Sequence, residues 1–524
     1  MRTRRSALLL LSGMFAVLAC SAGEGPFVDS CALEGSIRVK ANDTNPFSAV
    51  ARVTVDTEIA VRVEYGVDGS FDRSTPSRTL APNVQTEFLV LGLRPDSQYS
   101  IRAVAGEGDQ SWTSSTQTFQ TGGLPEGWPE CTVTAPDPSL FDVDEVICSN
   151  HRLADETPIY VCVDREGVPV WWLRHPDGER MQQITALPDG SYGAVGDSDS
   201  FVAFFDRYGE MTGEYIDLWF EDRTRFFHDW VDMHEVIELT EGPWAGAVAF
   251  TTATVDIVDG EERGGTGLIV FDRHTEEVVW DWHIHGELGD GVSIDPTMID
   301  YDRYGIHDEG GARYWNHGNA LLHGIDDGGE FFWMSLRAQD WVIKIDVETD
   351  DVLWRLGYGG DFELVDDLDA TDPEPLDPRR WFYQQHAPEW QAHDGDRVRF
   401  LIYDNGVTRP DEDGDPDSTD QYSRIVELEI DEDSRRATVH FEYGSPDEDD
   451  PAHFYSKQLG DADMLPGATS LMFDEGLGNP WIAEITYPGG EEIWRYHCPD
   501  MPRFYRLNYF PSLYDTTWWY DVER

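Results

Sequence analysis

Six times between residues 162 and 496 the chain repeats one loose pattern: a strand closing near an acid, a short turn, and a second strand carrying an aromatic residue. The copies are CVDREGVPVWWL (162–173), FFDRYGEMTGEYI (204–216), VFDRHTEEVVWDW (270–282), KIDVETDDVLWRL (344–356), LEIDEDSRRATVHFEY (428–443) and EITYPGGEEIWRY (484–496). A unit of this size cannot bury its apolar face alone, so repeated copies fold by stacking on one another. Each copy reads as the outer hairpin of one blade, and the fold class predicted is all-β, a six-bladed β-propeller. The aspartates Asp164, Asp206, Asp272 and Asp346 are separated by 42, 66 and 74 residues. Simple propeller repeats run to roughly 40–50 residues. The excess implies inserts between strands, and in propellers inserts gather at the ends of the central channel, where sites are built. The 19 tryptophans suit packing between blades.

A small β-sandwich is expected ahead of the propeller. From Ala51 the pattern alternates with period two, as in Ile59, Val61, Val63 and Tyr65 set against Ala60, Arg62 and Glu64, which marks a half-buried sheet. The stretch GLRPDSQYSIRAVA (92–105) resembles the tyrosine corner of fibronectin type III domains. These signals place the sandwich at 45–122, ending in the linker GGLPEGWP, and the propeller at 123–524.

Residues 1–19 carry Arg2, Arg4 and Arg5, then an apolar run too short to span a bilayer, which is the pattern of a signal peptide. Its VLAC end resembles a bacterial lipobox, so cleavage before Cys20 and lipidation of its thiol are expected, with 20–44 as a tether. Ser21 after the cysteine points to the outer membrane, facing the periplasm or the cell surface. Removing 1–19 leaves 35 basic against 101 acidic residues, a net charge of about −66. Nucleic acid is excluded as a partner by that balance, and an anionic ligand would need a local basic site. Cys31, Cys131, Cys148, Cys162 and Cys498 allow two disulfides in an oxidising compartment, with pairing open. The absence of CxxC leaves no Cys-based metal centre to expect. The acidic loop 410–420 has oxygen groups at alternating positions but lacks the full calcium-loop pattern.

Four segments carry unusual polar groups: HDWVDMHEVIEL (228–239), YWNHGNALLHGIDDGGEFFWMSLRAQDWVIKID (314–346), FYQQHAPEWQAHDGDRVRFLIYDNG (382–406) and GATSLMFDEG (467–476). In order, they hold His234-Glu235, then Trp315, His317 and Asn319 followed by Ser335 and Arg337, then Gln385-His386 leading to Asp404-Asn405-Gly406. This ordered set, with the ending YRLNYFPSLY (505–514), resembles the bacterial arylsulfate sulfotransferases, in a lipoprotein form with an N-terminal sandwich. The chain departs from the family at Met233, where a second histidine is common, and at Ala387, where an acid often follows the histidine. His228 is a nearby ring that could replace the first, whereas His283 and His285 read as outer-strand residues.

The resemblance implies transfer of a sulfuryl group from a phenolic sulfate ester to a phenol, by a ping-pong route through a sulfohistidine and without a nucleotide sulfate donor or other cofactor. His386 would be the nucleophile, Arg337 the clamp on sulfuryl oxygens, and His317 and His234 donors to those oxygens or carriers of the phenol proton. Asn319 and Asn405 would fix the histidines. Sulfuryl transfer is like phosphoryl transfer, with charge spread over three oxygens, so positioning and electrostatics carry it. Partners would be aryl sulfates, phenols and a membrane reached through Cys20, with room for a homodimer. Two other readings stay open at this level: a non-catalytic surface propeller binding glycans or proteins, and a metal-assisted ester hydrolase using the same histidines.

Overall fold

The computed structural model describes residues 37–516, apart from 109–110, 197–200, 217–229, 259–260, 285–312, 327, 395–396, 412–420 and 478–479. Cys20, Cys31, His228, His285 and most of the acidic loop therefore lie outside the described residues.

The first strands build two facing sheets. Ile37–Ala41, Ala49–Val53 and Thr86–Val90 form one, and Ile59–Val67 with Gln98–Ala105 form the centre of the other. Their inward residues, among them Val53, Val63, Tyr65 and Ile101, share one apolar core. The hydroxyl of Tyr99 accepts from the backbone N–H of Arg94 at 2.9 Å, which ties the corner between the sheets. The sandwich begins earlier than 45: the strand Ile37–Ala41 falls inside the stretch expected as tether. Its pairing supplies the reason, since Ile37 lies opposite Val53 and is buried although the sequence around it alternates only briefly.

Among the described residues six further sheets of four or five strands follow, antiparallel except where the short strands Arg313–Tyr314 and Glu363–Leu364 add in parallel. Their inner strands are Leu507–Phe510, Met181–Ala186, Trp230–Glu238, Gly318–Asp326, His386–Asp394 and Ala462–Met464, and each touches the next around a closed ring. This is a β-propeller, and all six sequence repeats are the outer hairpins of its sheets. Closure is made twice. Strand Thr132–Thr134 adds to the outer edge of the last sheet, and Leu507–Phe510 becomes the inner strand of the first. Cys131 bonds Cys498 beside the first closure, and Cys148 bonds Cys162 across two neighbouring strands.

The sandwich is fastened to the first blades. The Phe47 ring packs tilted against Trp172 at 5.2 Å between centroids, Arg94 pairs with Asp164 at 2.7 Å, and the Tyr514 hydroxyl accepts from Leu91 N at 2.9 Å. The same C-terminal segment that closes the ring therefore also grips the sandwich.

Candidate active site

Three inner strands break their regular register where the candidate residues lie. The irregularities fall between Val231 and Val236, Gly318 and Ala320, and His386 and Glu389. A bulge turns a side chain out of the alternation of its strand. His234, Asn319 and His386 sit at or inside these three breaks, Asn319 and His386 at the starts of their strands and His234 in the middle of its own.

Two hairpins explain the motif spacings. Gly318 pairs with Leu336, so His317 and Arg337 flank the open end of one hairpin, joined by a 3.0 Å bond from Arg337 N to His317 O. His386 pairs with Tyr403, which puts Asn405 beside it at the open end of the next. The turn after Asn405 needs glycine: Gly406 has φ of 72°, and a Cβ there would meet Tyr422 O at 2.2 Å.

His386 is 2% exposed. Its Nδ1 lies 2.6 Å from Asn405 Oδ1, and Leu459 N–H donates to its Nε2 at 3.3 Å. The Asn405 amide donates through Nδ2 to Ser456 O at 2.8 Å and Leu459 O at 2.9 Å, so its oxygen must be the atom facing the ring. Nδ1 therefore carries the proton and Nε2 the lone pair. Burial first, then the charge of Arg337, holds the His386 imidazole well below its ordinary range, against the Asn405 bond. The ring is neutral at physiological pH.

The other candidates close around it. The rings of His234 and His317 meet edge to face at 4.7 Å. Arg337 is buried and donates to Lys457 O at 3.1 Å. Asn319 donates to Gln385 O at 2.8 Å, and Gln385 in turn donates to Ser335 Oγ and Trp341 O. Asn319 Oδ1 is buried with no hydrogen-bond partner. His283 instead lies on an outer strand beside Asp281. Met233 falls on the inner strand, its side chain outside the described residues.

Sequence reasoning assigned no role to Tyr505 and Arg506, although both stand in the YRLNYFPSLY motif. Tyr505 packs edge-on against His386 at 6.3 Å and His234 at 6.4 Å between centroids. Arg506 donates to Glu235 at 2.6 Å and to Asn319 O at 2.8 Å, with Asp461 at 3.5 Å. Burial pushes Glu235 up to about 7, with Arg506 pulling the other way. This ion layer separates the histidines from a cavity of about 460 Å³ whose walls include Gln183, Leu321, Glu389 and Asp463 but none of His234, His317, Arg337 or His386.

A buried neutral imidazole with one nitrogen locked as donor, facing a guanidinium and two further rings, is an arrangement for attack on an electrophile bearing negative oxygens. The family model described as arylsulfotransferase (ASST) matches residues 132–492, which spans the propeller from its first edge strand to its last sheet. The chain belongs to the arylsulfotransferase family. As a member it is an arylsulfotransferase enzyme, and its small-molecule substrates are aryl sulfates and phenols. No curated protein matches the chain. Among solved structures, a protein of unknown function from Bacteroides caccae is similar at 9% identity and TM-score 0.37, over 68% of this chain and 94% of that one. A catalytically inactive virginiamycin B lyase from Staphylococcus aureus with quinupristin is similar at 11% identity and TM-score 0.26, over 70% and 99%. Dihydro-heme d1 dehydrogenase is similar at 10% identity and TM-score 0.31, over 87% and 75%.

Proposed function

We propose that this arylsulfotransferase works by ping-pong transfer through a sulfohistidine at His386, without a nucleotide sulfate donor. The observation that carries the reading is the orientation of Asn405, which leaves the lone pair on Nε2 of a buried, neutral ring. The Leu459 contact to that nitrogen is long for a hydrogen bond, and opening it exposes the lone pair to sulfur.

In the first half-reaction Nε2 attacks sulfur. The N–S bond forms as the bond from sulfur to the aryl oxygen breaks, and the departing phenolate takes a proton from the His234–His317 pair. Arg337 holds two of the sulfuryl oxygens as their charge grows. In the second half a new phenol attacks the same sulfur, its proton returns to the pair, and the N–S bond breaks. Asn319 Oδ1, buried without a partner, orients the incoming hydroxyl before its proton passes to the pair. Asn319 thus both supports the His386 loop and meets substrate, a wider role than fixing a histidine.

The same proposal places the protein outside the cytoplasm as a lipoprotein anchored at the outer membrane through Cys20. Arg2, Arg4 and Arg5, the apolar run and the VLAC end support it.

The test is incubation with 4-nitrophenyl sulfate, with and without a phenol acceptor, for wild type and His386→Ala. Sustained nitrophenol release must need both the acceptor and His386. Turnover that continues without acceptor, or survives His386→Ala, refutes the covalent route.

A further inference from the structure

The cavity behind the Arg506 layer holds about 460 Å³, a size that suits a small-molecule site. Six carboxyl groups line it, those of Glu235, Glu238, Glu241, Glu389, Asp461 and Asp463. Glu235 and Asp461 are engaged by Arg506, and Glu238 by Arg273. Asp463 is not engaged in this way. It reaches the cavity from the inner strand Ala462–Met464, and among the described residues no hydrogen bond or ion pair meets its carboxyl. Burial, then the charges of Asp461 and Glu389, raise it well above the carboxylate range, against the pull of Arg506.

A second wall wants a related partner. Asn508 is 8% exposed and stands on the closing strand Leu507–Phe510, which neighbours Ala462–Met464 in the ring. Its Nδ2 donates to the Tyr160 hydroxyl at 2.7 Å and to Ile184 O at 3.1 Å. A carbonyl only accepts, so the amide cannot be turned round, and Oδ1 is the end left to the cavity. Among the described residues that oxygen has no hydrogen bond. A buried acceptor in this state calls for a donor. Asp463 calls for a cation, and an ammonium group is both.

The remaining lining decides what carries the ammonium. Among the described residues the carboxylates of the cavity make no three-ligand cluster within 4.8 Å, so a bare divalent ion finds no cage. Leu321, Leu322 and Pro388 give an apolar wall for a methylene chain, and Trp390 is an aromatic neighbour for a cation. Burial holds the His323 imidazole of the lining below its ordinary range, so it adds no competing charge.

We infer that this cavity binds a small organic cation, with ammonium groups on an aliphatic chain, held by Asp463, Asn508 and the carboxylates around them. The inference goes beyond sulfuryl transfer and does not depend on it, because the Arg506 layer stands between the cavity and His386.

The probe is spermidine, titrated calorimetrically into the full chain at constant ionic strength. One equivalent should bind the wild type, and Asp463→Asn should weaken it about tenfold, the loss of one charge-assisted hydrogen bond. The same variant removes a buried carboxyl that has no ion pair, so its Tm should hold or rise, which separates lost binding from lost fold. Thr240→Arg, at an exposed position of the cavity wall, puts a fixed cation there and should also weaken spermidine. Glu448→Gln/Asp449→Asn removes two exposed acids away from the cavity and should bind as the wild type does. The absence of a saturable equivalent overturns the site, as does unchanged affinity in Asp463→Asn or in Thr240→Arg. Equal weakening in Glu448→Gln/Asp449→Asn assigns the binding to the general acidity of the chain and also overturns it. Displacement of spermidine by an equal concentration of calcium chloride would make the cavity a metal site and refute the organic cation.

Discussion

Asn405 Oδ1 accepts from His386 Nδ1 at 2.6 Å, and the same amide is pinned from behind by Ser456 O and Leu459 O. The imidazole therefore has one tautomer available to it, with the Nε2 lone pair turned to the Leu459 N–H. Replacing Asn405 by alanine removes both the tautomer lock and the ring's orientation. We expect kcat to fall about 10²-fold, the scale of a misplaced reacting group, with the fold retained by circular dichroism.

Acidity gives a second check. The folded His386 ring resists protonation because burial and Arg337 disfavour its charge. Between its lowered pKa and the ordinary value of about 6.5 the ring stays neutral, so the nucleophile is not lost as pH falls through that value. A pH profile of the first half-reaction should show no His386 limb near 6.5 in wild type. Asn405→Asp, which puts a carboxylate against Nδ1, should raise the ring's pKa and bring that limb up towards neutrality.

Arg506 is the cation of a buried layer holding Glu235 and Asp461. Arg506→Met leaves two carboxyl groups buried without it, and removing one partner of such a pair costs about 3–5 kcal/mol. Chemical denaturation should report that loss. Sulfotransfer should fall as well, because Asn319 loses the donor to its carbonyl.

Cys131–Cys498 ties residues 367 apart, at the point where the first edge strand joins the last sheet. Cys131→Ser/Cys498→Ser should lower unfolding stability by about 2–5 kcal/mol, the usual cost of losing a native disulfide. The active-site geometry lies on other strands, so kcat measured below the lowered Tm should be preserved.

The propeller was legible because its outer hairpins repeat in sequence. Their turns and aromatic strands face the same environment in every sheet, and the same physics selects similar residues. The inner strands do not repeat, since each meets a different neighbour and three of them break register at His234, Asn319 and His386. The candidates could be found as motifs, and the hairpin ends explain their spacing, yet nothing in the spacing shows that His317 touches His234 across two blades. Arg506 and Tyr505 were out of reach for a related reason. They enter the site through ring closure, more than a hundred residues after His386 in the chain. The strand Ile37–Ala41 was missed because four or five residues carry too few alternations to register without their partner strand.

The central claim is a covalent bond from sulfur to His386, and the direct measurement is to trap it. The protein is mixed with 4-nitrophenyl sulfate in the absence of a phenol, quenched, digested under conditions that preserve N–S bonds, and the peptides are analysed by mass spectrometry. The account predicts one burst equivalent of nitrophenol and one added sulfuryl group, located on His386 and released when phenol is supplied before the quench. A sulfuryl group on another residue, or a full burst in His386→Ala, would contradict it.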